Sequence, residues 1–580
     1  MNLKMLIIST ASAVALLAAS TASTQVQTLP YHGQVSTELN TGLMGDELDQ
    51  PLAVALEKRV ISKSFNKKIE QELGISGLKV LRRAYAQRVF KPVWTYAGAL
   101  SLLEATKRLD EHGLVTSDDD ISRMEKLINK RFDASRSAKS RAKSDTKLSA
   151  AFLRNAKILA GGLSDEGGAD TPDLDGPMRS NLTDALLKAG QGLAVFELES
   201  LTPQTSQYGA LQQALEQYRG LQAAGGWLAI PNGDVVEVGE SDPRIPAIRT
   251  RLEVEGFYTP VFSFFETPEP DVFTPELETA LKIFQTRHGL EDDGIIGNNT
   301  LFAMNESVES KIDKIADSMH RWRVQGDMGR RHIWANIPSY TAIGVNNGAY
   351  EIETKTIVGK PRFATQTFSD QVEYMVANPK WFLPVSITRR QKVPKLRRDP
   401  GYAQKYGYNI YDRETGAAIE AANVDWSEPG VARKYRFVQE AGPGNALGKL
   451  KIIFPNQYSI YLHGTPSMKL FDKAQRAFSS GCVRLEDPIA MAEWIAKGDS
   501  NLTAAGILEA SESGENTRME LDEHIPVHIT YFLVTANEDG SVNFLRDIYE
   551  RDDGIETVEK MAKLYKPKPA APQDELTPVR

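Results

Sequence analysis

Apolar positions recur every three or four residues through most of the first 325 positions, and alternate with polar ones beyond. The first spacing is the helical period and the second the strand period, so the chain predicts a helical part followed by a β-rich part. From about Gln50 to Asp120 the pattern is helical: Leu78, Val80, Leu81, Tyr85, Val89 and Phe90 lead into Pro92-Val93-Trp94. Leu102, Leu103, Thr106 and Leu109 then share a face, and Gly113 supplies the stop. Further helices are expected over Leu148–Leu159 and within Arg179–Ala223. Between them, residues 133–146 are charged and poor in apolar side chains, which predicts a flexible loop, and 164–177 form an acidic, glycine-rich loop.

A compact unit is expected at 238–308. Asp242 and Pro243 have the chemistry of an N-cap and first helical residue, ahead of Ile245, Ile248 and Leu252. Thr274 and Pro275 open a second helix in the same way, with Leu277, Leu281 and Phe284 on its buried side. The turn from Gly289 to Gly297 leads to a short third helix near Thr300–Met304. A helix at 311–325 precedes the alternating sequence, where Ile333, Ala335 and Ile337, and later Val527, Ile529, Tyr531 and Leu533, face one way. Residues 385–440 are polar, basic and rich in Tyr and Gly, as expected of a mobile cover or binding loop.

The N-terminus changes the picture of where the chain works. Lys4, an apolar stretch from Met5 to Ala19 and the small residues Ser20-Thr21-Ala22-Ser23 have the layout of a secretory signal, expected to span 1–23. The mature chain is then expected outside the cytoplasm, in a periplasm, or membrane-associated if the signal stays uncleaved. Residues 24–49 predict a disordered lead-in and 546–580, with Pro567, Pro569 and Pro572, a loose tail. The chain carries 68 basic and 76 acidic residues, a net charge of −8, which argues against nucleic acid as the partner.

Cys482 is the sole cysteine among 580 residues, so an exported chain cannot use it for an internal disulfide. It sits in Ser479-Ser480-Gly481-Cys482-Val483-Arg484, 19 residues after His463. A strand over Tyr458–His463 puts Tyr461 and His463 on one face, and Asp487-Pro488 announces a helix to Lys497 that anchors the loop. Thiolate is the nucleophile, and a hydrogen-bonded histidine can take the thiol proton and return it to a leaving amine. The amides of Gly481 and Cys482 are candidates to cradle an oxyanion, and Arg484 to pair with a substrate carboxylate. Tyr461 and Trp381 are candidates to line a substrate groove. The run Arg389, Arg390, Lys392, Lys395, Arg397, Arg398 is a solvated loop or an attractor of an acidic ligand. No histidine, cysteine or carboxylate cluster has metal-ligand spacing.

These blocks carry a resemblance. Pro443-Gly444-Asn445-Ala446-Leu447-Gly448, Tyr461-Leu462-His463-Gly464-Thr465-Pro466 and the cysteine block resemble a YkuD-type L,D-transpeptidase domain, in particular its large YcbB-type branch. Asn378-Pro379-Lys380-Trp381-Phe382-Leu383-Pro384 and the early Tyr85-Ala86-Gln87-Arg88 support it, so it spans about 70–545. The "FQ..HGL..DGIIG..T" pattern of 284–300 is similar to the small three-helix peptidoglycan-binding module, whether it still grips glycan or serves as a spacer. The family usually has histidine where Ser480 stands, which leaves His463 as the base and, by the family's match, the Gly464 carbonyl as its orienting group.

The resemblance implies a multidomain α+β protein: a helical scaffold domain (50–237), the peptidoglycan-binding-like module (238–308) and a mainly-β catalytic domain (309–545) with a lid insertion at 385–440. It implies that Cys482 acylates on the third, diamino-acid residue of a tetrapeptide stem, with loss of D-alanine, and that a neighbouring stem's amine resolves the thioester. Ser480 joins Arg484, Tyr461 and Trp381 as expected substrate contacts. No cofactor or metal is implied, because one amide is exchanged for another. Carbapenem-type β-lactams are expected to acylate Cys482. The expected partners are stem peptides, a glycan strand and other wall-synthesis proteins. The competing readings are an L,D-carboxypeptidase or endopeptidase with water as acceptor, and a non-catalytic wall-binding scaffold.

Overall fold

A computed structural model describes residues 49–161, 182–260, 270–537 and 539–551. The expected signal, lead-in, acidic loop 164–177 and the tail beyond 551 lie outside the described residues. The helical part packs helices at Gln50–Val60, Lys63–Gln87, Tyr96–Lys107, Asp118–Phe132 and Ala138–Leu159 around one core that includes Leu81, Trp94, Leu102 and Phe152. The last of these helices overturns the loop expected at 133–146, of which 133–137 alone is irregular. Ser137 caps it by accepting from the Ser140 amide. One charge in this stretch is buried rather than solvated: Asp145 accepts from Arg131 Nε at 2.6 Å and from Tyr85 Oη at 2.6 Å. Trp94 Nε1 donates to Ser149 Oγ at 2.9 Å, so the Tyr85 and Trp94 motif serves this helix.

The small unit forms helices at Ile245–Val254, Pro275–Arg287 and Asn298–Met304. Thr274 caps the second as expected, while the first starts two residues later than Asp242-Pro243 suggested, because Asp242 turns back to bind Arg244. Gln285 shows what the FQ..HGL..DGIIG..T pattern is for. Its Nε2 donates to Asp293, Ile295 and Thr300, and its Oε1 accepts from the Gly294 amide, so it ties the turn together.

The β part contains β1 (Arg331–Asn336), β2 (Thr341–Asn346), β3 (Ala349–Gly359), β4 (Phe368–Ala377), β5 (Trp381–Phe382), β6 (Tyr408–Asp412), β7 (Tyr435–Gln439), β8 (Leu450–Ile453), β9 (Leu462–His463), β10 (Ala477–Ser479), β11 (Val483–Leu485), β12 (Thr517–Thr530), β13 (Val534–Ala536) and β14 (Val542–Phe544). The main sheet runs β10-β3-β11-β9-β8-β4-β12-β1-β2, and a β2–β3 pairing closes it on itself. Val483, Leu462, Ile452, Met375 and Val527 fill its interior with Trp494 and Met491 of helix Pro488–Ala496. The insertion between β4 and β8 folds as a separate three-stranded sheet, β5-β7-β6, with short helices and its own core of Leu396, Tyr408, Trp426 and Phe437. Among the described residues no helix is long and apolar enough to cross a membrane.

Candidate active site

Two strand pairings assemble the site. β11 runs parallel to β9 with Arg484 opposite His463, and β8 runs antiparallel to β9 with Lys451 opposite His463. Residues in register share a face, so Arg484, His463 and Lys451 form one row across three strands. Val483, Leu462 and Ile452 point the other way, into the core. Cys482, one residue before β11, and Tyr461, one before β9, continue the row's face. The strand is shorter than the expected Tyr458–His463: β9 begins at Leu462, because Ser459 adopts φ = 55° and turns the chain. Asn456 holds that turn through Nδ2 to Phe454 and Ile460 carbonyls, both at 2.7 Å.

His463 is buried, with 5% of its surface exposed. Its Nδ1 lies 2.5 Å from the Gly464 carbonyl. A carbonyl can only accept, so Nδ1 carries the proton and Nε2 keeps the lone pair that a base needs. Burial, then the charges of Arg484 and Lys451, hold the imidazole down to about 3, hence neutral near pH 7. Gly464 is packed against Gly448, where a Cβ would meet the Thr465 amide nitrogen at 2.6 Å, and Gly448 also needs its φ of 66°. Asn445 pins this corner: its Nδ2 donates to the carbonyls of Pro379, Gln439 and Glu440, joining the glycine turn to the base of the insertion.

Cys482 is half-buried, and its Sγ lies 3.7 Å from the Ser459 carbonyl. Burial pushes the thiol up, opposed by the Tyr461 backbone contact and the charge of Lys451. The loop is held from beneath. Ser479 Oγ donates to the Cys482 carbonyl at 2.6 Å and accepts from the Gly481 amide at 3.0 Å. Gly481 is therefore not the oxyanion donor expected from the sequence, since its N–H is already spent; among the described residues the Cys482 amide has no such partner. Buried Thr365 donates to the Gly481 carbonyl at 2.8 Å and accepts from the Gly359 amide at 2.9 Å. Tyr549 Oη, donating to the Gly359 carbonyl at 2.6 Å, extends the strut to the last described segment.

The other expected contacts lie as follows. Tyr461 stands 5.5 Å from the His463 ring, centroid to centroid. Ser480 is exposed and accepts from Gln391 Nε2 of the insertion at 3.1 Å. Arg484 is on the row, and its Nε is buried without a partner. Trp381 is partly buried and packs against the insertion's core, under Lys392 and beside Tyr408. Sequence reasoning missed Lys451, Thr365 and Ser479. The one signal for Lys451 was a single cation in the apolar strand Leu450–Ile453. Among the described residues no group of His, Cys, Asp and Glu could hold a metal ion.

Family comparisons agree with this anatomy. Residues 330–504 match the "L,D-transpeptidase catalytic domain", 79–215 a "Scaffold domain" and 241–304 a "Putative peptidoglycan binding domain". A curated relative from Haemophilus influenzae, named "Putative L,D-transpeptidase", is 33% identical over 254 residues, which are 44% of this chain and 51% of that protein. The chain thus spans about half the length of the curated relative it matches. Among solved structures, an L,D-transpeptidase from Mycobacterium smegmatis is 13% identical and covers 35% of this chain and 58% of its own, at a TM-score of 0.16. One from Xylanimonas cellulosilytica is 12% identical, covering 52% and 98%, at 0.14. Residues 330–504 thus match the YkuD L,D-transpeptidase catalytic domain, in a chain whose other segments match scaffold and peptidoglycan-binding domains.

Proposed function

We propose that this chain is a cysteine-dependent L,D-transpeptidase that cross-links peptidoglycan between the third residues of two stem peptides. One observation carries the reading: the only thiol shares a sheet face with a buried, neutral histidine whose Nδ1 is tied to a backbone carbonyl. In the first step Cys482 Sγ gives its proton to His463 Nε2 and bonds to the carbonyl carbon of the donor's third residue. The oxyanion takes the Cys482 amide proton in a hydrogen bond. The amide to D-alanine breaks, and His463 returns the proton to the leaving amine. In the second step the side-chain amine of an acceptor stem attacks the thioester, His463 takes its proton, and the thiol is restored. Arg484 and Tyr461 are the proposed donor contacts. The insertion, which reaches the nucleophile loop through Gln391 and Ser480, favours a bulky acceptor over water. We place the reaction in the periplasm, on the signal-like N-terminus.

The test is incubation of the protein, and of Cys482→Ala, with disaccharide-tetrapeptides, followed by mass spectrometry. Dimers joined through third residues, with one D-alanine lost per bond and none with the variant, are expected. Tripeptide monomers alone would replace the transferase by a carboxypeptidase. Unchanged substrate in both samples would leave a wall-binding scaffold.

A further inference from the structure

The row Arg484–His463–Lys451 places a cation on either side of the imidazole, one from each neighbouring strand. Lys451 folds over the Tyr461 ring, with Nζ 3.9 Å from its centroid. Tyr461 in turn lies against Cys482, whose strand continues its register. Among the described residues neither Lys451 nor Arg484 has a carboxylate partner. The charged and titratable groups that face the thiol are Tyr461 and His463 from the β9 side, Lys451 from β8 and Arg484 from β11, and none of them is acidic in the carboxylate range. Two cations half-removed from water and unpaired are costly to keep, so the fold retains them against a gain elsewhere.

We propose that Lys451 is a positioning residue of this site, which with Arg484 acts as the fixed counter-charge of the Cys482 thiolate and keeps His463 as a neutral base. This rests on the nucleophile assigned above. In a thiolate–imidazolium pair the histidine supplies the positive charge itself. Here a third positive charge between Lys451 and Arg484 is disfavoured, so the resting pair is thiol and imidazole. The charge that forms on sulfur during attack meets cations already in place, with no reorganisation. Tyr461 makes the placement specific: its ring face attracts the ammonium and fixes it on the side of the thiol. Consistently, the thiolate is the one group of opposite sign that acts on either cation.

Cys482 is the only cysteine, so alkylation reads it alone. The experiment is the pH dependence of iodoacetamide modification of the full chain, followed by intact mass, for the native protein, Lys451→Met and Lys451→Arg. Met keeps the stem packed on Tyr461 without the charge. The reactivity midpoint should rise by about one pH unit in Lys451→Met, slowing alkylation near neutrality by roughly tenfold. Lys451→Arg should restore the native midpoint. Equal midpoints in the native protein and Lys451→Met would overturn the proposal. So would an unshifted midpoint combined with a raised KM for a donor tetrapeptide, which would make Lys451 a substrate carboxylate contact. Failure of the transferase reading would show differently, as native protein that alkylates normally but forms no cross-links.

Discussion

Two buried histidines in this molecule sit in nearly the same chemistry and end in opposite situations. His288, from the small module, donates Nδ1–H to the Phe284 carbonyl at 2.7 Å, as His463 does to Gly464 at 2.5 Å. Both imidazoles are held down to about 3, by burial first and then by nearby cations: Lys311 and Arg251 in one case, Arg484 and Lys451 in the other. The difference is a carboxylate. Buried Glu255 accepts from Lys311 at 2.5 Å and from Tyr218 Oη at 2.7 Å, and pairs with Arg251. Lys311 also fills His288 Nε2, at 2.9 Å. That cluster joins the small module to helix Val308–Gln325, with Tyr218 of helix Ser206–Ala223 and Phe544 of β14 around it. A cluster whose cations share a buried carboxylate closes an interface. The unbalanced one leaves Nε2 and two positive charges for a reaction.

The comparison breaks hardest at the unbalanced end. His463→Gln removes the proposed base while keeping a side chain that can hydrogen-bond Gly464. Acyl transfer from a tetrapeptide donor should fall by about 10²–10⁴-fold, with little change in thermal midpoint. A large loss of stability with native turnover would reverse the roles assigned to the two clusters.

Glu255→Gln should do the opposite. It strands Lys311 and Arg251 in a buried site, a change that costs on the order of 3–5 kcal/mol. The thermal midpoint should drop, while the alkylation midpoint of Cys482 stays native. Replacing Glu255 by Leu and Lys311 by Met together should recover part of the loss. A native midpoint for Glu255→Gln would mean that the module is held by its other contacts, such as Arg287 with Asp539.

The same pairing explains what the sequence could and could not tell. That Cys482, His463 and Gly464 lie together could be read from the sequence because a lone thiol, a histidine and small residues in those blocks have few other uses. His288 was visible as a motif letter, yet its work depends on Lys311, which is distant in sequence and arrives through packing. Lys451 was invisible for a related reason: a lysine in a four-residue strand acquires meaning only once β8 is known to lie beside β9 in that register. The helix at Ala138–Leu159 was misjudged because its charges looked solvated, whereas Asp145 meets Tyr85 from sixty residues away in sequence. Periodicity reports which residues are apolar; it is silent on which charges find partners.

Acid sharpens the comparison by acting on both histidines alike. Each has a folded pKa of about 3 against an ordinary 6.5, so below pH 6.5 the unfolded chain binds protons that the folded one refuses. Stability therefore falls as pH drops from 6.5 towards 3, by roughly 1.4 kcal/mol per pH unit for each histidine. Glu255, held down to about 2, adds a loss between 4.5 and 2. His320 and His528, both down to about 4, give a shared background. In denaturant midpoints measured from pH 7 to 5, His463→Gln should show a shallower acid slope than the native chain by one histidine's share. An identical slope would mean that His463 is free to protonate in the fold.

Salt should separate the clusters by the smallest margin. The docking charges are enclosed, with Lys311 and Glu255 side chains no more than 1% exposed, so screening should barely touch stability. The site's excess is partly open and continues onto the insertion, where Arg389 and Arg390 are exposed and Gln391 touches the Cys482 loop through Ser480. No carboxylate in that run offsets them. An acidic donor peptide should feel this field on approach, so kcat/KM should fall a few-fold between about 20 and 200 mM salt, mostly through encounter. The double variant Arg389→Gln, Arg390→Gln should lower the low-salt value and flatten the dependence, leaving the rate at high salt and the thermal midpoint close to native. A native salt slope in that variant would confine the useful charge to Lys451 and Arg484.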